Sequence, residues 1–315
     1  MWRRTILAAL AVLPVWCQTP ASADARADSH ACDLSIMRKD WDQALQRCDR
    51  AIQSGQLAES DLAHALTSRC WAKIKLRRFD DALMDCNEAI RLDPDFVGAY
   101  TNRATAHRGK GDYGRAIKDY DRALDLDPDY VLAYTNRGTA YLHKADYDSA
   151  IHNYDQALGL DPGDSIALWL RGTISFYRGD FAKAETDIAA SVTHNPDRPY
   201  AALWLQLTSA RLGKADAGGL EAQFNRIGFV PWPGPIASYF LGQISEAELD
   251  AAAEDIDAEI QKQQMCEADF FAGEHHLIAG SRTDAERRLQ SAVTNCPAHA
   301  SESAGAAAEL ARMAQ

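Results

Sequence analysis

The sequence predicts an all-α protein, a solenoid of stacked helical hairpins, and three observations point there. Two consecutive segments of 34 residues nearly superimpose: 97–130, VGAYTNRATAHRGKGDYGRAIKDYDRALDLDPDY, and 131–164, VLAYTNRGTAYLHKADYDSAIHNYDQALGLDPGD. A fixed period of that length marks a repeat architecture. An Asp-Pro or Asn-Pro pair closes each period, at Asp93-Pro94, Asp127-Pro128, Asp161-Pro162 and Asn195-Pro196. Small residues recur at position 8 (Cys70, Ala104, Gly138, Gly172), position 20 (Ala82, Ala116, Ala150, Ala184) and position 27 (Ala89, Ala123, Ala157, Ser191). They let two antiparallel helices approach closely, while the aromatic at position 17 (Phe79, Tyr113, Tyr147, Phe181) fills the turn. Proline at position 32 cannot continue a helix and biases the residue before it away from α.

In chain order, residues 1–23 read as a removable export signal. Arg3 and Arg4 precede a short apolar run, Thr5 to Trp16, and Ala21-Ser22-Ala23 is a small-x-small cleavage site, so cleavage is expected before Asp24. The expected location is the periplasm. The alternative is a lipid anchor on Cys17 in the outer membrane, but Pro14-Val15-Trp16 make a poor lipidation site. Membrane tethering is therefore not expected. The hairpin array occupies 24–198, with a degenerate repeat at 25–58 and full repeats at 63–96, 97–130, 131–164 and 165–198. In the first of these, Trp41 to Ile52 aligns with Phe79 to Ile90. Residues 199–265 form an irregular helical connector with a proline-rich turn at 231–235. Residues 266–315 give a last hairpin and an Ala-rich capping helix, Ser301 to Met313. Gly273, Ala285, Leu289, Ala292 and Pro297 keep the repeat register in that hairpin.

This pattern closely resembles the tetratricopeptide repeat (TPR). The resemblance implies a right-handed superhelix of helix–turn–helix units whose first helices line a concave groove. A second, narrower resemblance lies in the C-terminal part. Ala202-Leu203-Trp204-Leu205, Trp232-Pro233-Gly234-Pro235-Ile236, Tyr239 to Ser245 and Phe270 to Leu289 look like the C-terminal half of NlpI-type TPR proteins of the Gram-negative envelope. That family implies a non-enzymatic, often dimeric adaptor that holds peptidoglycan hydrolases and a tail-specific protease together. The alternative function is a periplasmic chaperone or secretion-pathway subunit that grips extended peptides.

Six cysteines follow the export signal, and an even count in an exported chain suggests disulfides. The repeat register selects the pairs. Cys32 and Cys70 fall at position 8, and Cys48 and Cys86 at position 24, positions that face each other within one hairpin. Cys266 and Cys296 fall at positions 1 and 31, the open end of a hairpin. The expected bonds are Cys32–Cys48, Cys70–Cys86 and Cys266–Cys296. No Cys-x-x-Cys spacing suggests zinc.

The groove-facing positions supply the candidate binding residues. They are Thr67, Ser68 and Trp71, then Thr101, Asn102, Thr105 and Arg108, then Thr135, Asn136, Thr139 and His143, and finally Trp169 and Thr173. A carboxamide both donates to C=O and accepts from N–H, so Asn102 and Asn136 suit a peptide backbone. Trp71 and Trp169 could anchor apolar side chains. The basic carboxylate clamp of some TPR proteins is incomplete: Lys75 and Arg108 are present, but the remaining positions are not basic. Arg69, Arg103, Arg137 and Arg171 recur at position 7, opposite Asp85, Asp119, Asn153 and Asp187 at position 23, and predict a repeated hairpin ion pair.

The net charge of −12 argues against a nucleic-acid partner, which leaves a basic footprint. Glu274-His275-His276 is the densest polar cluster, but adjacent helical histidines point about 100° apart and cannot easily share a metal. No phosphate-binding loop or nucleophile elbow is present. The sequence thus predicts no enzyme, no cofactor and no metal. It predicts a protein or peptide ligand, with a homodimer expected from the family resemblance.

Overall fold

The structure is a computed structural model that describes residues 21–229, 231–297 and 300–315. The predicted export signal falls largely on residues 1–20, which, with Cys17, lie outside the described residues. The described residues form seventeen α-helices and no strand. The chain divides after Phe96 into two compact bodies.

The N-terminal body holds two hairpins, α1 (Ala21–Met37) with α2 (Trp41–Gln53), and α3 (Glu59–Lys75) with α4 (Phe79–Leu92). Cys32, Ala44, Cys48 and Ala72 are fully buried in its core. Cys32 is bonded to Cys48 and Cys70 to Cys86, with Cα–Cα separations of 5.3 and 5.8 Å.

The C-terminal body begins with three regular hairpins. They are α5 (Val97–Gly109) with α6 (Tyr113–Leu126), α7 (Val131–His143) with α8 (Tyr147–Leu160), and α9 (Ser165–Tyr177) with α10 (Phe181–His194). The local sequence explains each turn. Asp112, Asp146 and Asp180 accept a hydrogen bond from the backbone N–H three residues on and so cap the second helices. The residue before each cap has positive φ: Gly111 at 78°, Gly179 at 79°, and Ala145 at 57°, where the turn imposes the left-handed conformation on a residue with a Cβ. At the other end, Asp127 and Asp161 adopt extended φ/ψ before proline, and their carboxylates accept from the N–H two residues on. The Asp-Pro pair therefore both stops the helix and closes an Asx turn.

The small residue at position 8 lies against the residue at position 24 of the same hairpin. A Cβ on Gly138 would stand 2.7 Å from the Tyr154 ring, and one on Gly172 2.6 Å from Ile188 Cγ1. In the N-terminal body the Cys70–Cys86 bond occupies the same pair of positions.

Beyond the hairpins come α11 (Pro199–Arg211), α12 (Ala217–Ile227), α13 (Gly234–Phe240), α14 (Glu246–Ala252), α15 (Ala258–Ile278), α16 (Arg282–Asn295) and α17 (Ser301–Met313). Helix α11 opens the stretch read as an irregular connector, yet it forms the centre of the largest core. Trp204 is 1% exposed and meets Phe176, Tyr177, Phe270 and Phe271 at ring separations of 5.2–5.7 Å. Helices α15 and α16 form a last hairpin in which Cys266 and Cys296 are bonded, with a Cα–Cα separation of 4.8 Å. Helix α17 packs on α16, α15 and α9.

Candidate functional site: the inner helix row

In the C-terminal body each second helix packs on the first helix of the next hairpin, α6 on α7, α8 on α9 and α10 on α11. The first helices also touch one another, α5 to α7, α7 to α9 and α9 to α11. They are the more closely spaced row and hence the inner face of the stack.

The position-7 arginines hold this stack. Arg103 and Arg171 each grip the carboxylate of their own hairpin, Asp119 and Asp187, through two N–H···O bonds of 2.6–2.8 Å. Arg137 donates to the Asn153 amide oxygen at 2.7 Å. In the N-terminal body Arg69 grips Asp85 the same way. A second leg runs between neighbouring hairpins. Arg137 also reaches Asp121, and Arg171 reaches Asp155, both at 2.6 Å, on the second helix of the preceding hairpin. Arg69 likewise reaches Asp49. Each of these rungs joins two hairpins. Hydrogen bonding to Asp187 holds the Arg171 guanidinium above its ordinary pKa, against the cost of burial.

Asn102 and Asn136 are half-buried at equivalent points of α5 and α7, with His143 and Thr139 further along the same row. The threonines behave differently from expectation. Thr101, Thr105, Thr135 and Thr173 are buried. Thr101, Thr105, Thr139 and Thr173 donate to the carbonyl four residues earlier, at 2.9–3.0 Å. Thr135 instead donates to Asp164 at 2.5 Å. A threonine inside a helix satisfies its hydroxyl this way, so these residues pave the floor and present no spare donor to a ligand. His143 stacks on Tyr113 at 5.3 Å. Arg108 lies against the buried Tyr120 hydroxyl, whose pKa burial raises.

In the N-terminal body Thr67 is buried and donates to the Ala63 carbonyl, and Ser68 donates to Asp33 at 2.7 Å. The Lys75 ammonium sits 4.4 Å from the Trp71 ring centroid. These two hydroxyls are thus engaged within their own body.

At the far end of the inner row, Trp169 stacks on Tyr200 at 6.3 Å, and the Arg198 guanidinium lies 5.5 Å from the indole centroid. The Tyr200 hydroxyl and Trp232 Nε1 both donate to the Glu267 carboxylate, at 2.8 and 2.7 Å. Burial raises the pKa of Glu267. Sequence reasoning missed Arg198 and Tyr200. Continuing the register past residue 198 would have placed Tyr200 at position 2 of a further repeat.

The Glu274-His275-His276 cluster points three ways. Glu274 is fully buried against Arg211 at 2.8 Å, with Glu309 reaching the same guanidinium at 3.1 Å. His275 packs against Tyr239 and Phe240. His276 bonds Glu246 at 2.7 Å. Among the described residues no group of His, Cys, Asp or Glu side chains is placed to hold a metal ion, and no helix is long and apolar enough to cross a membrane.

The tetratricopeptide-repeat family pattern matches residues 69–131, 101–165 and 135–199. Residues 69–199 are a tetratricopeptide-repeat array. Among curated proteins, heat shock protein STI1 of Saccharomyces cerevisiae is 33% identical over 80 residues, which is 25% of this chain. The chain spans only 13% of that relative's length. Three solved structures share the TPR fold. A thermophilic TPR protein of Thermus thermophilus is 18% identical, with a TM-score of 0.52, over 58% of this chain and 98% of its own. The pilF structure of Pseudomonas aeruginosa is 14% identical, with a TM-score of 0.50, over 74% and 91%. A tetratricopeptide repeat protein of Parabacteroides merdae is 14% identical, with a TM-score of 0.50, over 87% and 93%. At these identities the likeness shows the fold alone. Proteins of this repeat family are generally non-enzymatic scaffolds that bind peptide or protein partners.

Proposed function

We propose that this TPR protein is an exported, non-catalytic scaffold whose inner helix row in the C-terminal body binds an extended segment of a partner protein. The observation that carries the reading is the half-buried pair Asn102 and Asn136, set at equivalent points of neighbouring first helices. Successive carboxamides at that spacing suit a peptide backbone, donating to its carbonyls and accepting from its N–H groups. With the threonines turned back onto their helices, the asparagines carry the backbone recognition and Trp169 supplies an aromatic wall. The three disulfides are consistent with an oxidising compartment, in keeping with periplasmic export. The NlpI-like C-terminal features favour envelope enzymes as partners, namely peptidoglycan hydrolases and a tail-specific protease, with the scaffold acting as a homodimer.

The test is affinity capture from a Gram-negative envelope extract with the exported protein as bait. Enrichment of hydrolases or a protease is expected. A broad spread of unfolded exported chains would replace the adaptor reading with a chaperone. Sedimentation of the purified protein checks the dimer.

A further inference from the structure

The turns after α5, α7, α9, α11 and α15 each pass through one residue in the left-handed region, in order Gly111, Ala145, Gly179, Gly213 and Gly280. In the N-terminal body the equivalent positions, after α1 and α3, carry Lys39 at φ 60° and Arg77 at φ 58°. The two turns close alike. The Lys39 and Arg77 N–H groups donate to the carbonyl three residues back, and those of Asp40 and Arg78 to the carbonyl five residues back. A Cβ in this conformation crowds the following carbonyl oxygen, so folding alone favours glycine at both places. Two long cations stand there instead.

The two turns share one edge, because α1 turns back into α2, α2 packs on α3, and α3 turns back into α4. Lys75 at the end of α3 marks that edge. Its Nζ lies 5.9 Å from the ring centroid of Trp41, which opens α2, and 4.4 Å from that of Trp71. Arg38, Lys39 and Arg77 are exposed and form no ion pair among the described residues. Of the acids on this edge, Asp81 takes two hydrogen bonds from Arg78, and Asp40 caps α2. Asp42 and Asp80, in the first turns of α2 and α4, are the others. Apolar groups complete the edge. Met37 is 78% exposed, Leu34 one turn earlier is 38% exposed, and both indoles are half-buried. Cations that reach phosphate, indoles that sit at a polar boundary and a thioether held in water together match the headgroup layer of an anionic bilayer. A soluble polyanion would engage the cations and leave Met37 in water.

We infer that this edge of the N-terminal body docks reversibly on an anionic phospholipid surface, with Arg38, Lys39 and Arg77 on the phosphates and Met37 in the apolar layer beneath them. Such a contact is peripheral and requires neither a membrane-spanning helix nor a lipid anchor. It is independent of the peptide-binding row in the C-terminal body.

Co-sedimentation of the exported protein with vesicles tests this, using phosphatidylglycerol mixed with phosphatidylcholine and, as control, phosphatidylcholine alone. Binding should require phosphatidylglycerol and weaken as salt is raised. Lys39→Gly combined with Arg77→Gly is the decisive variant. Glycine suits both turns, so the thermal midpoint should hold or rise. Affinity for the anionic vesicles should nevertheless fall roughly thirtyfold, the loss expected for two cations near a charged surface. Met37→Ser, at an exposed position, should weaken vesicle binding about threefold or more by removing the apolar anchor. Soluble polyglutamate separates lipid from an acidic protein segment. The docking surface is refuted if the protein binds both kinds of vesicle equally, or if the glycine pair binds as well as the wild type. It is also refuted if polyglutamate binds as tightly as the vesicles and Met37→Ser leaves vesicle binding unchanged, which would assign the edge to an acidic protein partner.

Discussion

Replacing Arg171 by leucine should destabilise the C-terminal body by about 2–4 kcal/mol, because it strands a buried carboxylate. The two legs of the rung are unequal. The Asp187 side chain is 8% exposed and takes two hydrogen bonds from Arg171, while the Asp155 side chain is 51% exposed. Asp155 can turn to water, so its pair contributes only about 0–1 kcal/mol. Asp187 cannot, and its uncompensated charge sets the cost. The prediction has an internal control. Arg171→Leu combined with Asp187→Leu removes both the charge and its need for a partner, and should return to within about 1 kcal/mol of the wild type. The assay is urea unfolding followed by far-UV circular dichroism, with the slope checked for constancy across the variants. A cost below about 1 kcal/mol for Arg171→Leu, or an Asp155→Ala cost as large as that of Asp187→Ala, would refute the stranded carboxylate as the cause.

Three further predictions follow from the packing. Replacing Cys70 and Cys86 by alanine opens a loop of 16 residues and should cost about 3 kcal/mol, measured by the same denaturation, and intact-mass analysis of the exported protein without reductant should find no alkylatable thiol among the six paired cysteines. Gly172→Ala should cost about 1–3 kcal/mol in thermal unfolding, because the added methyl would meet Ile188 Cγ1 at 2.6 Å and the Ala184 carbonyl oxygen at 3.2 Å; an unchanged midpoint would mean the hairpin is looser than described. Burial, and then the Glu309 carboxylate beside it, push the Glu274 carboxyl up to about 8, against about 4.3 in an unfolded chain. A pKa raised on folding stabilises fully below the unfolded value and loses that contribution as pH climbs toward the folded one. Stability should therefore decline between pH 5 and 8, and Glu274→Gln should flatten that decline; a variant whose pH profile matches the wild type would remove Glu274 as the cause.

The hairpins were legible because the residues that specify them act locally. Asp112, Asp146 and Asp180 cap helices within three residues, and Asp127 and Asp161 close turns within two. The Arg–Asp pair within a hairpin was legible because both ends recur in one repeat. Its second leg to Asp121 or Asp155 was not, since it joins two repeats and depends on how hairpins stack. The threonines illustrate a different limit. The repeat register assigns them to the groove, but a helical hydroxyl can satisfy itself on its own backbone, and position alone does not reveal that choice. Beyond residue 198 the period fades. The central role of Trp204, whose ring on α11 meets rings of α9 and α15, then rests on contacts between residues far apart in sequence.

The inner row is proposed to bind its partner through Asn102 and Asn136. The most direct measurement is the affinity of a captured envelope partner for the wild type and for Asn102→Ala combined with Asn136→Ala, by calorimetry. Loss of the carboxamides' hydrogen bonds should weaken binding by roughly tenfold or more, with the fold unchanged by circular dichroism. Equal affinities for the two proteins would contradict the account.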